Sequence, residues 1–156
     1  MTAYEIGLLL HVFGALLFFG GALVAGVAFE AASRRDRPSE VALLLGLARV
    51  GALIVLAGAV LVLGAGLWLA SDIDQAGEPW VLASLALFVL SLVLGALGGQ
   101  GPKRARRLAS RLAEGQDAMT PDLRRLLTDP LSRAANYASS ALVLVILVLM
   151  VWQPGR

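Results

Sequence analysis

The sequence contains no cysteine and only one histidine, His11. The first absence excludes disulfides, thiolate metal sites and cysteine nucleophiles. The second excludes a zinc or copper site built from a histidine cluster within one chain. Charge is scarce as well. Only 15% of the 156 residues are Asp, Glu, Lys or Arg, and no acidic residue lies deep in an apolar run. That argues against a carboxylate-driven proton or cation transporter. No nucleotide-binding glycine pattern, G-x-S-x-G elbow or histidine pair is present. Gly98-Gly99-Gln100-Gly101-Pro102 reads as a helix end rather than a phosphate loop.

What is present is apolar. Hydrophobic residues make up 58% of the chain, and glycine adds 17 residues, most of them inside apolar runs. A soluble domain is usually about 45–50% apolar even with glycine counted. Four stretches stand out, at about 4–29, 41–70, 80–99 and 134–152. Each reaches the ~20 residues needed to cross the hydrocarbon core. Backbone groups there must bond within their own segment, so the stretches are expected to be helices. Nothing basic precedes the first one, and it outruns the roughly 7–15 residues of a signal-peptide core, so it is expected to remain as a membrane helix.

Basic residues in the loops set the expected orientation. The first loop carries Arg34, Arg35 and Arg37. The second, Ser71 to Pro79, carries Asp72, Asp74 and Glu78 and no cation. The third carries Lys103, Arg104, Arg106, Arg107, Arg111, Arg124, Arg125 and Arg133. Loops one and three are therefore read as cytoplasmic, with both termini and Arg156 outside. A soluble nucleic-acid binder is a poor reading, because the cations sit beside membrane segments.

Tyr4, Trp68, Trp80 and Trp152 fall at the expected outer ends, where aromatic rings prefer to sit. Nineteen residues inward, about 28 Å at helical rise, lie Leu23, Arg49, Gly99 and Arg133. Arg49 is thus expected at the inner interface, either snorkelling alone or paired with Glu30 or Glu40. The first two helices would then project inward as a hairpin closed at Arg37-Pro38.

Residues 100–133 read as a basic cytoplasmic loop with short amphipathic helices. After Pro102, the residues Ala105, Leu108, Ala109 and Leu112 share one face, and Lys103, Arg104, Arg106, Arg107 and Arg111 mostly surround it. Such a helix is expected to lie on anionic lipid head groups, or else to dock a partner. Glu114 to Asp117 ends it; Thr120-Pro121-Asp122 and then Asp129-Pro130 start the next helices.

His11 lies about 10 Å below Tyr4 along its helix. An ionisable residue in a membrane helix points to function by default. A neutral imidazole also bonds neighbouring helices, so both readings stay open. In the functional version, His11 is an axial haem or porphyrin ligand, with Met150 at a similar depth as its partner. Copper would need more soft ligands than the chain supplies.

Gly7, Gly14 and Gly21 recur every seven residues on the first helix, and Gly51, Gly58 and Ala65 on the second. Ala134, Ala138 and Ala141 make a small face on the fourth. These are expected to be close-packing surfaces, within the chain or between copies. Ser84 and Ser91, with Asn136, Tyr137, Ser139 and Ser140, are expected to form interhelical hydrogen bonds or, with His11, a narrow polar track.

Leu9 to Gly21, LLHVFGALLFFGG, resembles the first helix of a bacterial integral-membrane family, domain of unknown function 2269. Gly66 to Ala70, Trp80 to Gly95, and the ending Leu149 to Gly155, LMVWQPG, resemble its later helices and its close. That family is similar, at its L-H-x-x-G-A first helix, to copper-resistance-D-type membrane proteins and to the four-helix, haem b-binding protoporphyrinogen oxidase. The resemblance implies an axial-ligand role for His11. The methionine expected on the third helix has no counterpart in Trp80 to Gly99.

We read the chain as an all-α membrane protein, a four-transmembrane-helix up-down bundle with N and C termini outside, in the cell inner (cytoplasmic) membrane. No catalytic constellation is present. The expected role is a structural or accessory component, a homo-oligomer or a subunit of a membrane complex; the alternatives are a haem- or porphyrin-binding protein using His11 and a small oligomeric channel or exporter.

Overall fold

The computed structural model describes residues 2–72 and 75–152. Asp74 of the second loop, and Gln153, Pro154, Gly155 and Arg156 at the close, lie outside the described residues. Among the described residues six helices follow one another: α1 (Ala3–Ser33), α2 (Pro38–Asp72), α3 (Pro79–Gly98), α4 (Gln100–Ala113), α5 (Pro121–Leu127) and α6 (Pro130–Trp152). No strand occurs among the described residues. Among the described residues four helices are long and apolar enough to cross a membrane.

Local chemistry explains most of the helix starts. Thr2 and Glu5 form a reciprocal capping box at α1. Proline opens α2, α3, α5 and α6, where its missing N–H costs nothing. Thr120 caps α5 by accepting from the Leu123 N–H at 3.3 Å. Asp129 does the same for α6, accepting from the backbone N–H and hydroxyl of Ser132.

The chain divides into two compact units. The first comprises Met1–Leu69 with Gly101–Thr128, and the second Ala70–Gln100 with Asp129–Arg156. In the first unit α1 and α2 run antiparallel with glycine against glycine. A Cβ built on Gly21 would lie 2.7 Å from the Gly51 carbonyl oxygen, and one on Gly58 would lie 2.7 Å from the Gly14 oxygen. Backbones this close leave no room for a side chain, which is how small residues substitute for hydrophobic collapse in lipid. Gly7 faces the Trp68 ring, so Tyr4 and Trp68 belong to one end of this unit.

The opposite end of the first unit carries a small core. Ala32, Val41, Leu45, Ala105, Ala109, Leu123 and Leu127 are at most 2% exposed, with Phe29, Leu108 and Leu112 packed around them. The apolar face of α4 is therefore covered by α1, α2 and α5. It does not rest on lipid, because the last turns of α1 and first turns of α2 offer it Ala32, Val41 and Leu45 instead. Burying each Leu or Val here contributes roughly 1.5–3 kcal/mol against leaving it in water.

In the second unit α3 packs against α6. Ser84, Phe88, Ser91 and Gly98 are the buried residues of α3, and Ser132 and Ile146 those of α6. Gly98 meets Asn136 and the Ser132 carbonyl, while Ser139 meets Ser91 at the next turns. This register is antiparallel and puts Trp80 and Trp152 at one end.

Candidate functional site

His11 is half-buried on α1 and turned toward α2. Its Nδ1 lies 3.1 Å from the Val62 carbonyl oxygen. A carbonyl only accepts, so Nδ1 carries the proton and donates. The Val62 carbonyl has a second lone pair for this bond besides its helical role. Gly66 makes the approach possible, since a Cβ there would sit 2.9 Å from the ring's Cε1. In the neutral ring Nε2 is then the bare nitrogen. A backbone carbonyl on one ring nitrogen is also the arrangement that orients a metal-binding imidazole.

Gly7, Leu10, Val60, Gly64 and Trp68 help line an open apolar groove of about 270 Å³ in the same unit, and His11 is not among its lining residues. Small-molecule pockets usually hold ~300–1,000 Å³ and converge several polar groups. Among the described residues no three of His, Asp or Glu gather as a metal site. Met150, the proposed second haem ligand, is on α6 in the second unit and is 36% exposed. His11 supplies one axial donor at most.

The small residues divide by face. Gly7, Gly14 and Gly21 are buried on α1, and Gly51 and Gly58 lie against α1 from the other side. Gly20, Gly26, Gly46 and Gly64 meet nothing within 4 Å. Ala138 is exposed, off the α6 face that carries Ser132 and Ile146.

The chain belongs to the DUF2269 family of predicted integral membrane proteins. The family model matches residues 6–154, nearly the whole chain. No curated protein and no solved structure matches it.

In this DUF2269 chain Ser139 links the two helices of the second unit, while Ser91 and Ser140 donate within their own helices. Ser139 donates to the Ser91 carbonyl at 2.8 Å, and Ser91 donates within its own helix to the Phe88 carbonyl at 2.8 Å. Ser140 bonds back to the Asn136 carbonyl, and Tyr137 is exposed. His11 is not in this unit.

Two residues without an assigned role in the sequence act at the α1–α2 turn. Asp117 accepts from the Ser39 backbone N–H at 2.8 Å and from its hydroxyl at 2.7 Å. It does so with φ at 48°, a left-handed conformation that aspartate tolerates better than most residues. The Ser39 bonds, with Arg37 nearby, hold the Asp117 carboxyl below its ordinary pKa. Arg124 donates to the Ser33 carbonyl at 3.2 Å and pairs with Asp36. One residue thus caps the start of α2 and the other the end of α1. A sequence signal existed for the first: the residue before Pro38 is Arg37, which has no acceptor to cap a helix.

The cations also sort themselves. Arg34 pairs with Glu30 and Arg35 with Glu40. Arg49 is exposed and makes no ion pair among the described residues, so the expected pairing with Glu30 or Glu40 is not formed. On α4, Lys103, Arg104, Arg107 and Arg111 are exposed, and Arg106 is half-buried.

Proposed function

We propose that this protein is a non-enzymatic component of the cell inner (cytoplasmic) membrane, a structural or accessory subunit or a homo-oligomer, with both termini outside. The carrying observation is the bond from His11 to the Val62 carbonyl. The chain's single imidazole spends one nitrogen joining α1 to α2, in a cleft that Gly66 opens for it. Wide exposed apolar faces, including Leu16, Leu23, Leu56 and Val60, fit contact with lipid or with another membrane protein.

A second reading is favoured by the same bond. With Nδ1 fixed by a backbone carbonyl, Nε2 is oriented to take a haem iron or porphyrin metal. Haem would supply redox chemistry when bound; His11 would hold it, and Val62 would hold His11.

A visible spectrum of protein expressed with haem supplied separates the two. Absence of a Soret band leaves the structural reading. A Soret band that His11→Ala abolishes replaces it with the haem reading. Orientation has its own test, which the absence of native cysteine makes clean. Single cysteines at Glu78 and Arg107 are expected to label from outside and inside respectively. The reverse pattern overturns the topology.

A further inference from the structure

We infer that the basic face of α4 is a preformed docking surface for the phosphates of anionic phospholipid, held by charge alone. The inference stands whether or not His11 binds a cofactor. It begins with which face of α4 is free. Ala105 and Ala109 are fully buried, and Leu108 and Leu112 pack into the same core. An amphipathic helix that lies in the interface buries its apolar face among acyl chains. In α4 that face is already used by protein, so insertion is not how this helix meets a membrane.

The opposite face carries Lys103, Arg104, Arg107 and Arg111, all exposed. At about 100° per residue these four fall within an arc of roughly 100° and about 12 Å of helix length. Helix α4 contains no acidic residue. Among the described residues none of the four makes an ion pair. Elsewhere on this end of the first unit, Arg34, Arg35 and Arg124 are each matched by a carboxylate. Arg37 and Arg125 are also exposed without an ion pair among the described residues, but α4 gathers four such cations on one stripe.

Its chain position selects a lipid surface as the polyanion. Lys103 follows the last residue of the apolar helix α3 by five positions. That is about 18 Å at full extension and about 7.5 Å at helical rise. The stripe is thus tethered close to the head groups, where attraction decays over a Debye length of about 8–10 Å. A cation near an anionic surface is worth about fivefold in association. Because the helix is folded beforehand on α1, α2 and α5, none of that attraction is spent on ordering it.

The test uses the full chain reconstituted in vesicles with spin-labelled lipid, comparing the motionally restricted fraction of phosphatidylglycerol with that of phosphatidylcholine. The wild type is expected to prefer phosphatidylglycerol by a few-fold, up to about fivefold per engaged cation, at about 0.05 M salt. The preference is expected to vanish by about 0.5 M, where the Debye length has shortened to a few ångströms. Combined replacement of Lys103, Arg104, Arg107 and Arg111 by Gln is expected to abolish it at low salt, with helicity unchanged. Replacement of Arg34 and Arg35 by Gln is expected to retain it. An equal preference in the α4 variant, or none in the wild type at low salt, overturns the inference. Loss of the wild-type preference on adding inorganic phosphate at constant ionic strength overturns the lipid assignment and gives the stripe to free phosphate.

Discussion

The carboxylate of Asp117 caps α2 through Ser39, a residue 78 positions away in sequence. The bond ties the α4–α5 linker to the α1–α2 turn. Arg124 completes the clamp from α5 by holding the Ser33 carbonyl and Asp36. Four orphan N–H groups begin every helix and four orphan carbonyls end it. Here one of each, the Ser39 N–H and the Ser33 carbonyl, finds its partner in the same distant segment.

Asp117→Ala is expected to lower the melting temperature and to speed amide exchange in the first turn of α2. Asp117→Asn, which keeps an acceptor, is expected to lose less. The wild type carries a pH signature that the Asn variant lacks. Because the folded-state pKa is depressed from 3.8, the carboxylate's contribution is fully present above that value. It is lost as pH falls through the lower folded pKa. Melting curves across pH are expected to show a constant gap between the two proteins near neutrality. The gap closes only below about pH 4.

Arg124→Gln is expected to destabilise the same turn. Its effect combined with Asp117→Ala should be less than additive, since both variants free the same α1–α2 turn from the same segment. A double-mutant cycle on thermal unfolding checks this. Strict additivity would mean that the two caps act independently.

Neighbouring glycines on α1 give a sharp contrast. Gly21→Val is expected to cost about 1–3 kcal/mol through overpacking, because its Cβ would already lie 2.7 Å from the Gly51 oxygen. Gly20→Val has open space and is expected to leave the α1–α2 pairing intact. Unfolding in detergent and the cross-linking rate of a cysteine pair spanning α1 and α2 both read the difference.

Ser139→Ala is expected to weaken the α3–α6 pair by about 0.6 kcal/mol, the usual value for an interhelical bond in a membrane. Ser91→Ala is expected to change little, because its hydroxyl bonds within its own helix to Phe88 while its carbonyl still receives Ser139. Thermal unfolding of the two single variants separates these roles.

Much of the architecture is legible in sequence because its causes are local. A 20-residue apolar run is helical and membrane-crossing whatever else the chain does, since lipid offers the backbone no other partner. Proline at 38, 79, 121 and 130 marks four helix starts for an equally local reason. The loop after α3 is also legible as a helix, from the spacing of Ala105, Leu108, Ala109 and Leu112.

The destination of that helix is not legible. An amphipathic stripe reads the same whether lipid or protein covers it, and only the fold showed Ala105 and Ala109 buried on the α1–α2 end. His11 is similar, since nothing local announces that Gly66 lies across from its ring.

The sequence by itself determined that the chain crosses a membrane, how many helices are able to do so, and where its cations cluster. Hydropathy and chain length decide those matters residue by residue. Tertiary structure alone decided that Asp117 caps Ser39 and that the packing face of Gly14 and Gly21 meets α2 within the chain. It also decided that the four cations of α4 are the face left free. Each of these depends on which residues meet across tens of positions of chain, and a periodic pattern carries no record of its partner.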